Sequence, residues 1–381
     1  MRIQLVTRNF PPVVGGMERM LYNVYQELIK KHDVAIVGPV GCERFSAGAK
    51  SVVSVPLSPL ARYLISTQWH AYRLARRFRP DIIISGNGLT APAALIAASA
   101  TDAKVACFIY GLDLVVESML YKKLFLPAIR RCDRLISISR HTTQLATAVG
   151  AEANRIVLLN PGVSLPKATN AVHVERFRNI IGSYGRKVLL SVGRLSPRKG
   201  LCELIERALP QIVRQHPDVL LVIVGEEPSK ALKHTAGQRS RIERAIDSTG
   251  LTNHVKLLGQ VDDELLDGAY AAADLLVFPV LDLPGDVEGF GMVALEAAAH
   301  GLPTIAFAVG GVADAISDRV TGYLIKMGEY GEFADTVLHH LKNASSSEWR
   351  NRCVEYASKH TWAQYGERLT TILNDIVVKP H

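Results

Sequence analysis

Hydrophobic positions divide the chain into short β-branched runs that alternate with longer segments of helical period, a pattern typical of parallel sheets covered on both faces. In the first half it predicts strands near 2–7, 33–38, 51–55, 81–85, 104–109, 134–139 and 155–159, and helices near 16–31, 60–79, 90–100, 121–131 and 140–149. In the second half it predicts strands near 187–192, 219–224, 255–258, 274–278, 304–307 and 320–325, and helices near 199–215, 230–249, 262–272, 291–300 and 311–318. We therefore expect an α/β chain with two doubly wound parallel sheets.

Domain boundaries follow from the place where this alternation is interrupted. The turn Asn160-Pro161-Gly162 ends the first pattern, and a polar stretch precedes the next strong strand. We predict a first domain over residues 1–165, a linker over 166–186 and a second domain over 187–360, with a cleft between the two domains. The remaining segment, 361–381, is predicted to be a helix that returns to the first domain.

Composition narrows the class of protein. A chain of 381 residues with 48% hydrophobic and 21% charged residues fits two globular domains rather than a disordered or fibrous protein. The five cysteines are widely spaced and form no C-x-x-C pair, which argues against a zinc site or a disulfide framework. No apolar stretch reaches the roughly 20 residues that span a bilayer, and the N-terminal residues leave no room for a signal-peptide core. We therefore expect a cytoplasmic protein.

Positive charge is concentrated in the first half of the chain. Residues 1–165 carry 20 Lys and Arg against 10 Asp and Glu, whereas the remainder carries 24 against 26. Such asymmetry indicates an anionic partner for the first half: nucleic acid, lipid head groups or a phosphorylated substrate. A basic surface that only keeps the protein soluble explains the charge equally well.

Loops that follow the carboxyl ends of parallel strands are the usual ligand sites of such sheets, and three of them carry candidate chemistry. After the first strand, Gly15-Gly16 enters a helix, where backbone amides can approach a phosphate, although a plain turn explains the pair better. After the strand near 187–192, the loop Gly193-Arg194-Leu195-Ser196-Pro197-Arg198-Lys199-Gly200 brings three cations together beside a helix start. This combination suits a diphosphate, and a solvated basic turn is the alternative.

The third loop is the most specific. A strand predicted to end at Phe278 opens into a loop rich in Gly and Pro, which leads into the helix near 291–300. Glu288 precedes this helix and Glu296 lies in its second turn. Two such carboxylates can accept hydrogen bonds from hydroxyls of two sugar rings, while free amides at the helix start meet phosphate. The alternative for Glu296, an exposed helix glutamate, is weakened by the apolar residues on either side of it.

Glu288 and Glu296 have E-x7-E spacing. Together with the loop from Gly193 to Gly200, Gly15-Gly16-Met17-Glu18 and Gly301-Leu302-Pro303, this spacing resembles a family 4 glycosyltransferase of the GT-B fold over nearly the whole chain. The resemblance implies two Rossmann-like domains, a nucleotide-sugar donor held mainly by the second domain, and retention of the anomeric configuration. It also implies no metal and no cofactor, since the nucleotide sugar is a co-substrate; the sequence agrees, having no D-x-D at a strand end and no His/Cys cluster with ligand spacing.

The same resemblance assigns roles to individual residues. Arg194 and Lys199 would hold the diphosphate, where fixed cations stabilise the charge that builds on the leaving group. Glu296 would bind the ribose, and Glu288 would hold the transferred sugar. The other donor-binding positions, which would contribute mainly backbone amides, are Gly16, Gly193, Phe290, Gly291 and Met292.

One departure from the family pattern concerns the loop after the fifth strand. Many relatives carry His-Gly-x-Asp/Glu there, with the His reaching the donor sugar, whereas this chain has Tyr110-Gly111-Leu112-Asp113. Tyr110 can donate a hydrogen bond but is not a base at neutral pH. The sequence therefore does not identify the residue that binds the sugar's 6-hydroxyl, and the identity of the sugar stays open as well. Asp113 matches the acidic position and is predicted to orient the acceptor as a member of the catalytic group. A local capping role is its alternative.

Two basic stretches lie in the first domain. Residues 62–79 mix arginines and aromatics within one helix length, and residues 121–131 add cations near the predicted acceptor loop. Interfacial helices have this composition, so an anionic membrane surface is predicted as a partner. A packed apolar face with solvated arginines is the alternative.

We therefore predict a retaining, metal-independent transferase that moves a hexose or N-acetylhexosamine from a nucleoside-diphosphate sugar to a lipid-linked or lipopolysaccharide-type glycan. It would act in the cytoplasm, attached peripherally to the inner face of the cytoplasmic membrane. Two alternatives remain: a transferase acting on a small soluble phosphorylated acceptor, and a non-catalytic nucleotide-sugar-binding partner subunit. No aromatic-basic RNA motif supports nucleic acid as a partner.

Overall fold

The chain separates into two compact units. A computed structural model describes residues 1–166, 171–182, 184–227, 237–343 and 347–378. The first unit comprises Met1–Gly162 together with Trp362–His381, and the second comprises Val163–Thr361. Each unit is built on its own parallel sheet.

The first unit has a seven-stranded sheet within the described residues. Its strands are β1 (Arg2–Val6), β2 (Asp33–Pro39), β3 (Ser51–Val55), β4 (Ile82–Ser85), β5 (Lys104–Ile109), β6 (Arg134–Ser137) and β7 (Ile156–Leu158). They lie in the order β3-β2-β1-β4-β5-β6-β7, and each neighbouring pair is parallel. The helices between them are α1 (Gly16–Leu28), α2 (Leu60–Phe78), α3 (Ala91–Ala98), α4 (Leu112–Val115), α5 (Met119–Arg131) and α6 (Arg140–Ala148).

The second unit has a six-stranded sheet in the part of the chain that the structure describes. Its strands are β8 (Lys187–Val192), β9 (Val219–Val224), β10 (Val255–Gly259), β11 (Leu275–Phe278), β12 (Thr304–Phe307) and β13 (Gly322–Ile325), in the order β10-β9-β8-β11-β12-β13. All neighbouring pairs are parallel. Its helices are α7 (Ala171–Ile181), α8 (Leu201–Arg207), α9 (Leu209–Gln215), α10 (Gln238–Thr249), α11 (Asp263–Ala272), α12 (Met292–Ala299), α13 (Val312–Ala315), α14 (Tyr330–Asn343) and α15 (Ser347–Ser358).

This architecture confirms the predicted α/β class with two parallel sheets. Strands such as β9, which reads Val-Leu-Leu-Val-Ile-Val, are buried throughout because helices cover both faces of a parallel sheet. In each sheet the strand order reverses beside the first strand, between β1 and β4 and between β8 and β11. Ligands of open α/β sheets bind beyond the carboxyl ends of the strands at such reversal points.

Two helical segments differ from their predicted form. The segment predicted near 199–215 is split into α8 and α9, because Pro210 in the first turn of α9 cannot continue a preceding helix. The segment predicted near 230–249 is helical from Gln238, and its first part, together with the rest of 228–236, lies outside the described residues.

The segment predicted as a linker contains α7, which packs on α11. Gly268 of α11 permits this approach, since a Cβ there would lie 2.2 Å from the carbonyl oxygen of His173. Positions 167–170 and 183 of the predicted linker lie outside the described residues. The second unit therefore begins at Val163, whereas the sequence predicts that the second domain begins at residue 187.

The last helix, α16 (Trp362–Val378), is grouped with the first unit. Lys31 pairs with Glu367 of this helix, and Nε2 of His32 lies 3.2 Å from the hydroxyl oxygen of Thr370. A Cβ at Gly366 would lie 2.7 Å from Cβ of Glu27, so the glycine lets α16 approach α1 closely. Positions 379–381 lie outside the described residues.

Candidate functional site

The candidate site lies in the second unit at the carboxyl ends of β8, β11 and β12, which are neighbours in the sheet. Backbone hydrogen bonds tie the loops after these strands to one another. Leu281 N donates to the carbonyl oxygen of Arg198 at 2.8 Å, and Gly311 N donates to the carbonyl oxygen of Glu288 at 2.8 Å. Residues from the two most specific sequence motifs are thereby brought together.

Two glycines make this close packing of loops possible. Gly200 has a φ of +63°, and a Cβ there would lie 2.0 Å from the carbonyl oxygen of Pro279. Gly291 has a φ of +89° where the chain turns into α12, and a Cβ there would lie 2.9 Å from Cε1 of Phe278. Both positions combine a left-handed backbone with no room for a side chain, which only glycine tolerates without strain.

Four charged side chains, Arg198, Lys199, Asp286 and Glu288, form a charge cluster between the loops. Arg198 Nε donates to Oδ1 of Asp286 at 2.9 Å, and its Nη1 donates to Oε2 of Glu288. Lys199 Nζ donates to the same Oε2 at 2.8 Å and lies 4.6 Å from the ring centroid of Phe278. The side chains of Arg198, Lys199 and Glu288 are between 11% and 14% exposed. The cluster is thus largely withdrawn from water.

The pKa values of the cluster show which charges it holds. Burial alone would raise the pKa of Glu288, but the charges of Lys199 and Arg198 outweigh burial and lower this pKa to about 2. Burial lowers the pKa of Lys199, and the carboxylate of Glu288 opposes that effect. Glu288 is therefore an anion at neutral pH that fixes two cations in place. Cations held in this way can stabilise charge on a ligand without reorganising during a reaction.

Arg194 and Gly193 lie beside the charge cluster. Arg194 is exposed, and its guanidinium makes no hydrogen bond or ion pair with any residue that the structure describes. Its charge adds to burial in lowering the pKa of Lys199. A Cβ at Gly193 would lie 3.3 Å from Cε of Lys199.

Sequence reasoning missed the part played by Arg198. The three cations of the loop were visible in the sequence, but roles were assigned only to Arg194 and Lys199. In the structure Arg198 is buried and binds both carboxylates of the cluster. The 3₁₀ turn Pro197–Lys199 determines which cations of the loop reach the carboxylates, because it directs both Arg198 and Lys199 to Glu288.

The start of α12 lies between the two glutamates of the E-x7-E motif. The backbone N–H groups of Phe290, Gly291 and Met292 lie at the start of α12, before its first intrahelical hydrogen bond. They donate to no acceptor among the described residues. Glu296 is half-buried, and Tyr270 donates its hydroxyl hydrogen to Oε2 of Glu296 at 3.0 Å. A helix N-terminus with unpaired amides suits an anionic ligand group. The role of Tyr270 is a second feature that no sequence motif indicated.

The remaining predicted site residues, Gly16, Tyr110 and Asp113, belong to the first unit. Gly16 is exposed at the start of α1, where Glu18 is buried and accepts a hydrogen bond from Nδ2 of Asn9 at 2.6 Å. Tyr110 and Asp113 follow β5. The structure therefore unites the predicted residues of the second domain in one site and places these three in the other unit.

Tyr110 is buried, and the neighbouring Asp113 is half-buried. Oδ2 of Asp113 accepts a hydrogen bond from the backbone N of Tyr110 at 3.3 Å, which is the local contact named above as the alternative role. Burial raises the pKa of Asp113 to about 6, although the amides of Tyr110 and Gly88 and the charge of Arg8 oppose it. Tyr110 is 5% exposed, and its hydroxyl has no hydrogen-bond partner among the described residues. The roles of both residues toward sugar or acceptor stay predictions.

Comparison with known proteins identifies the family to which the chain belongs. The family model "Glycosyl transferases group 1" matches residues 174–360, and the model "Glycosyltransferase Family 4" matches residues 14–166. The chain is 29% identical to the GDP-mannose-dependent alpha-(1-6)-phosphatidylinositol monomannoside mannosyltransferase of Mycolicibacterium smegmatis, over 97% of each chain. It is 27% identical to the GDP-mannose-dependent monoacylated alpha-(1-6)-phosphatidylinositol monomannoside mannosyltransferase of Corynebacterium glutamicum, again over 97% of each.

Among solved structures, Anabaena HepE in complex with UDP is similar in fold. Its TM-score is 0.81 at 19% sequence identity, and the match covers 98% of this chain and 100% of that one. The family models fall one on each half of the chain, and the second half holds the charge cluster and the E-x7-E motif in one site. These findings together make the chain a member of the family 4 glycosyltransferases, with the GT-B fold, and an enzyme that acts on nucleotide sugars.

Proposed function

We propose that this enzyme is a retaining, metal-independent transferase that moves a hexose or N-acetylhexosamine from a nucleoside-diphosphate sugar to a lipid-linked glycan. The charge cluster carries the proposal. Lys199 and the exposed Arg194 would bind the diphosphate, Glu296 the ribose, and Glu288 with the amides of α12 the transferred sugar. Fixed cations near the diphosphate lower the barrier because the leaving group gains negative charge as the bond breaks.

The reaction needs no side-chain nucleophile on this proposal. The bond between the anomeric carbon and the diphosphate oxygen breaks while the acceptor oxygen bonds to the same face of the sugar. The acceptor's proton passes to the departing phosphate oxygen. The charge cluster would serve to hold that oxygen, and the anomeric configuration would be kept.

Relatives guide the choice of donor and acceptor. The two mannosyltransferases described above are named for GDP-mannose and for phosphatidylinositol mannosides, and the solved fold neighbour is also known bound to UDP-glucose. We therefore place GDP-mannose first and UDP-glucose second among donors, and a glycan on a lipid anchor first among acceptors.

The exposed face of α2 supports a membrane-bound acceptor. Ile65 and Trp69 are 72% and 52% exposed, although apolar side chains of this size are usually buried. Arg62 and Arg73 are exposed beside them, and the guanidinium of Arg73 lies 4.4 Å from the ring centroid of Trp69. Apolar side chains framed by arginines are typical of a helix that lies on an anionic lipid surface.

A second exposed apolar segment occurs at the start of α5. Met119, Leu120 and Leu124 are exposed there, next to the exposed Lys122 and Lys123. Both helices belong to the first unit, whose sequence carries the excess of positive charge. None of the described helices is long and apolar enough to cross a membrane. We propose that α2 and α5 attach the enzyme peripherally to the inner face of the cytoplasmic membrane.

A transfer assay tests this function. Purified enzyme is incubated with labelled GDP-mannose or UDP-glucose and with vesicles carrying phosphatidylinositol mannoside, with and without EDTA. We expect transfer to the lipid that survives the chelator, with the donor's anomeric configuration in the product. Transfer to soluble sugar phosphates alone would favour the soluble-acceptor alternative, and absence of both transfer and donor hydrolysis would favour a non-catalytic subunit.

A further inference from the structure

A residue of α11 contacts the carboxylate of Glu296. The hydroxyl of Tyr270, a residue only 3% exposed, donates to Oε2 of Glu296 at 3.0 Å. We propose that Tyr270 is a positioning residue that fixes the direction in which this carboxylate faces the ribose of the donor. The inference rests on the proposed function, in which Glu296 binds the ribose hydroxyls.

The ring of Tyr270 is itself held by His300, the residue that caps the C-terminus of α12. The two ring centroids lie 5.0 Å apart with an interplanar angle of 23°, so the rings are stacked. Such stacking restricts the tyrosine to a rotamer that keeps its hydroxyl beside α12.

Hydrogen bonds on both sides hold His300. Its Nδ1 lies 2.8 Å from the carbonyl oxygen of Glu296, and its Nε2 lies 2.8 Å from Oδ1 of Asp267 on α11. Both ring nitrogens thus face oxygen atoms, so the ring is held from both sides.

The support extends to α7. Oδ2 of Asp267 lies 3.4 Å from Nδ1 of His173, so the carboxylate joins three helices. The side chains of His300 and Asp267 are 13% and 29% exposed, which limits the competition of water for these contacts. Asp267, His300 and Tyr270 form what we name the α12 support.

Preorganisation explains why the α12 support should matter for binding. A glutamate side chain loses several freely rotating bonds when a ligand orders it, and this loss opposes binding. A carboxylate already held by Tyr270 has less freedom to lose, so the same hydrogen bonds to ribose yield tighter binding. The effect should be confined to ligands that carry ribose hydroxyls.

The test measures calorimetric Kd values for wild type and Tyr270→Phe, which removes the hydroxyl and keeps the ring. The probes are whichever of GDP and UDP binds the wild type more tightly, and its 2′,3′-dideoxy analogue. We expect wild type to prefer the ribonucleotide by about tenfold or more, as for a hydrogen bond to a charged group. Tyr270→Phe should weaken the ribonucleotide by about fivefold and leave the dideoxy analogue within about twofold.

Two further variants test the contacts of His300 and provide a control for the loss of a tyrosine hydroxyl. His300→Phe keeps an aromatic ring against Tyr270 but removes both hydrogen bonds, and it should show the same ligand-specific loss. Tyr330→Phe, at a buried tyrosine packed on Phe307 in the same unit, should change neither Kd value.

The possible outcomes separate the two proposals. If wild type prefers the ribonucleotide while Tyr270→Phe and His300→Phe change neither Kd value or both equally, Tyr270 does not position Glu296. If wild type binds the ribonucleotide and the dideoxy analogue equally, the ribose role of Glu296 is wrong, and the inference fails with it.

Discussion

Glu288 in the second unit and Asp113 in the first both follow the carboxyl end of a parallel strand, yet their surroundings shift their pKa values in opposite directions. Burial disfavours the charged form of both. Lys199 and Arg198 reverse this effect for Glu288 and lower its pKa to about 2. At Asp113, the backbone amides and the charge of Arg8 do not outweigh burial, and the pKa rises to about 6. Cations placed against a carboxylate can therefore outweigh the effect of burial on its pKa.

The same contrast extends to the cations of the two units. In the second unit, Arg198 and Lys199 are buried in the charge cluster. In the first unit the arginines of α2 at positions 73, 76 and 77 are exposed. On our proposal, the positive charge of the second unit would serve a ligand bound within its loops, and that of the first would serve a membrane surface.

Removing a buried cation should have the largest effect. We expect Lys199→Ala to lower kcat/KM by about 100-fold or more, the scale of one lost charge-stabilising contact in a transition state. Arg194→Ala should cause a loss of the same order. Initial rates over a range of donor concentrations measure this, with the exposed Lys326→Ala of the same unit as control. Full activity of Lys199→Ala, or a strict requirement for Mn²⁺ or Mg²⁺, would contradict the proposed donor site.

Reversing exposed cations of the first unit should abolish membrane binding instead. Each Lys or Arg near anionic lipid contributes about 1 kcal/mol, so changing Arg73, Arg76 and Arg77 to Glu should lower vesicle partitioning by roughly 100-fold or more. Co-sedimentation with anionic vesicles at low and high salt measures this, and donor affinity should not change.

The matched control for this variant reverses three exposed arginines of α10 in the second unit, Arg239, Arg241 and Arg244. We expect this control to bind vesicles nearly as wild type does. Tight binding by the α2 variant, or wild-type binding that ignores salt, would favour the soluble-acceptor alternative.

Stability against pH distinguishes the two carboxylates. The pKa of Asp113 is raised to about 6 in the native protein, so between about pH 4 and pH 6 the native protein binds this proton more tightly than the unfolded protein does. The free energy of unfolding therefore falls as pH rises through this range. The stability that Glu288 contributes is present above its ordinary pKa and is lost only as pH falls toward about 2. Asp113→Asn should therefore raise Tm by about 2–4 °C at pH 7.

Thermal melts of wild type and Asp113→Asn at several pH values measure this difference. It should shrink as pH falls below about 6 and vanish below the ordinary pKa of an aspartate, about 3.9, where Asp113 is neutral in both native and unfolded protein. A Tm difference that is independent of pH, or that grows as pH falls, would contradict a raised pKa of Asp113.

The smallest effect is expected for Tyr110→Phe. The hydroxyl of Tyr110 is buried and has no hydrogen-bond partner among the described residues, so its removal breaks no contact within this part of the chain. We expect donor Kd and kcat/KM to change by less than about twofold. A loss of discrimination between GDP-mannose and UDP-glucose in Tyr110→Phe would instead show that Tyr110 contacts the sugar.

Most of the fold, and the meeting of the two loops of the second unit that carry sequence motifs, could be predicted because both depend on local patterns. Buried parallel strands leave continuous apolar runs such as 219–224, and the loops that follow neighbouring strands must meet at one edge of the sheet. The motif residues Lys199 and Glu288 could therefore be expected close together, and their side chains share a hydrogen bond.

Contacts between distant segments could not be predicted in this way. Tyr270 and Glu296 lie on helices separated by β11 and a long loop, and neither helix carries a pattern that specifies the other as its partner. Asp113 packs against Gly88, a residue after another strand, where a Cβ would lie 3.0 Å from Cβ of Asp113. The sequence predicts a linker where α7 lies, because polar residues surround the few apolar positions of this helix. Its packing on α11 depends on Gly268 of α11, which the sequence of α7 does not indicate.

Nucleotide titrations of Glu288→Ala and Glu296→Ala test the central claim most directly, namely that the second unit binds the donor through two glutamates with different roles. Calorimetry with free GDP and UDP and with GDP-mannose and UDP-glucose measures each Kd. We expect Glu296→Ala to weaken the preferred free nucleoside diphosphate by about tenfold or more, because the ribose loses a charged acceptor. Glu288→Ala should weaken the nucleotide sugar more than the free diphosphate, because it removes the group that holds the sugar. Loss of diphosphate binding in Glu288→Ala but not in Glu296→Ala would contradict the assigned roles.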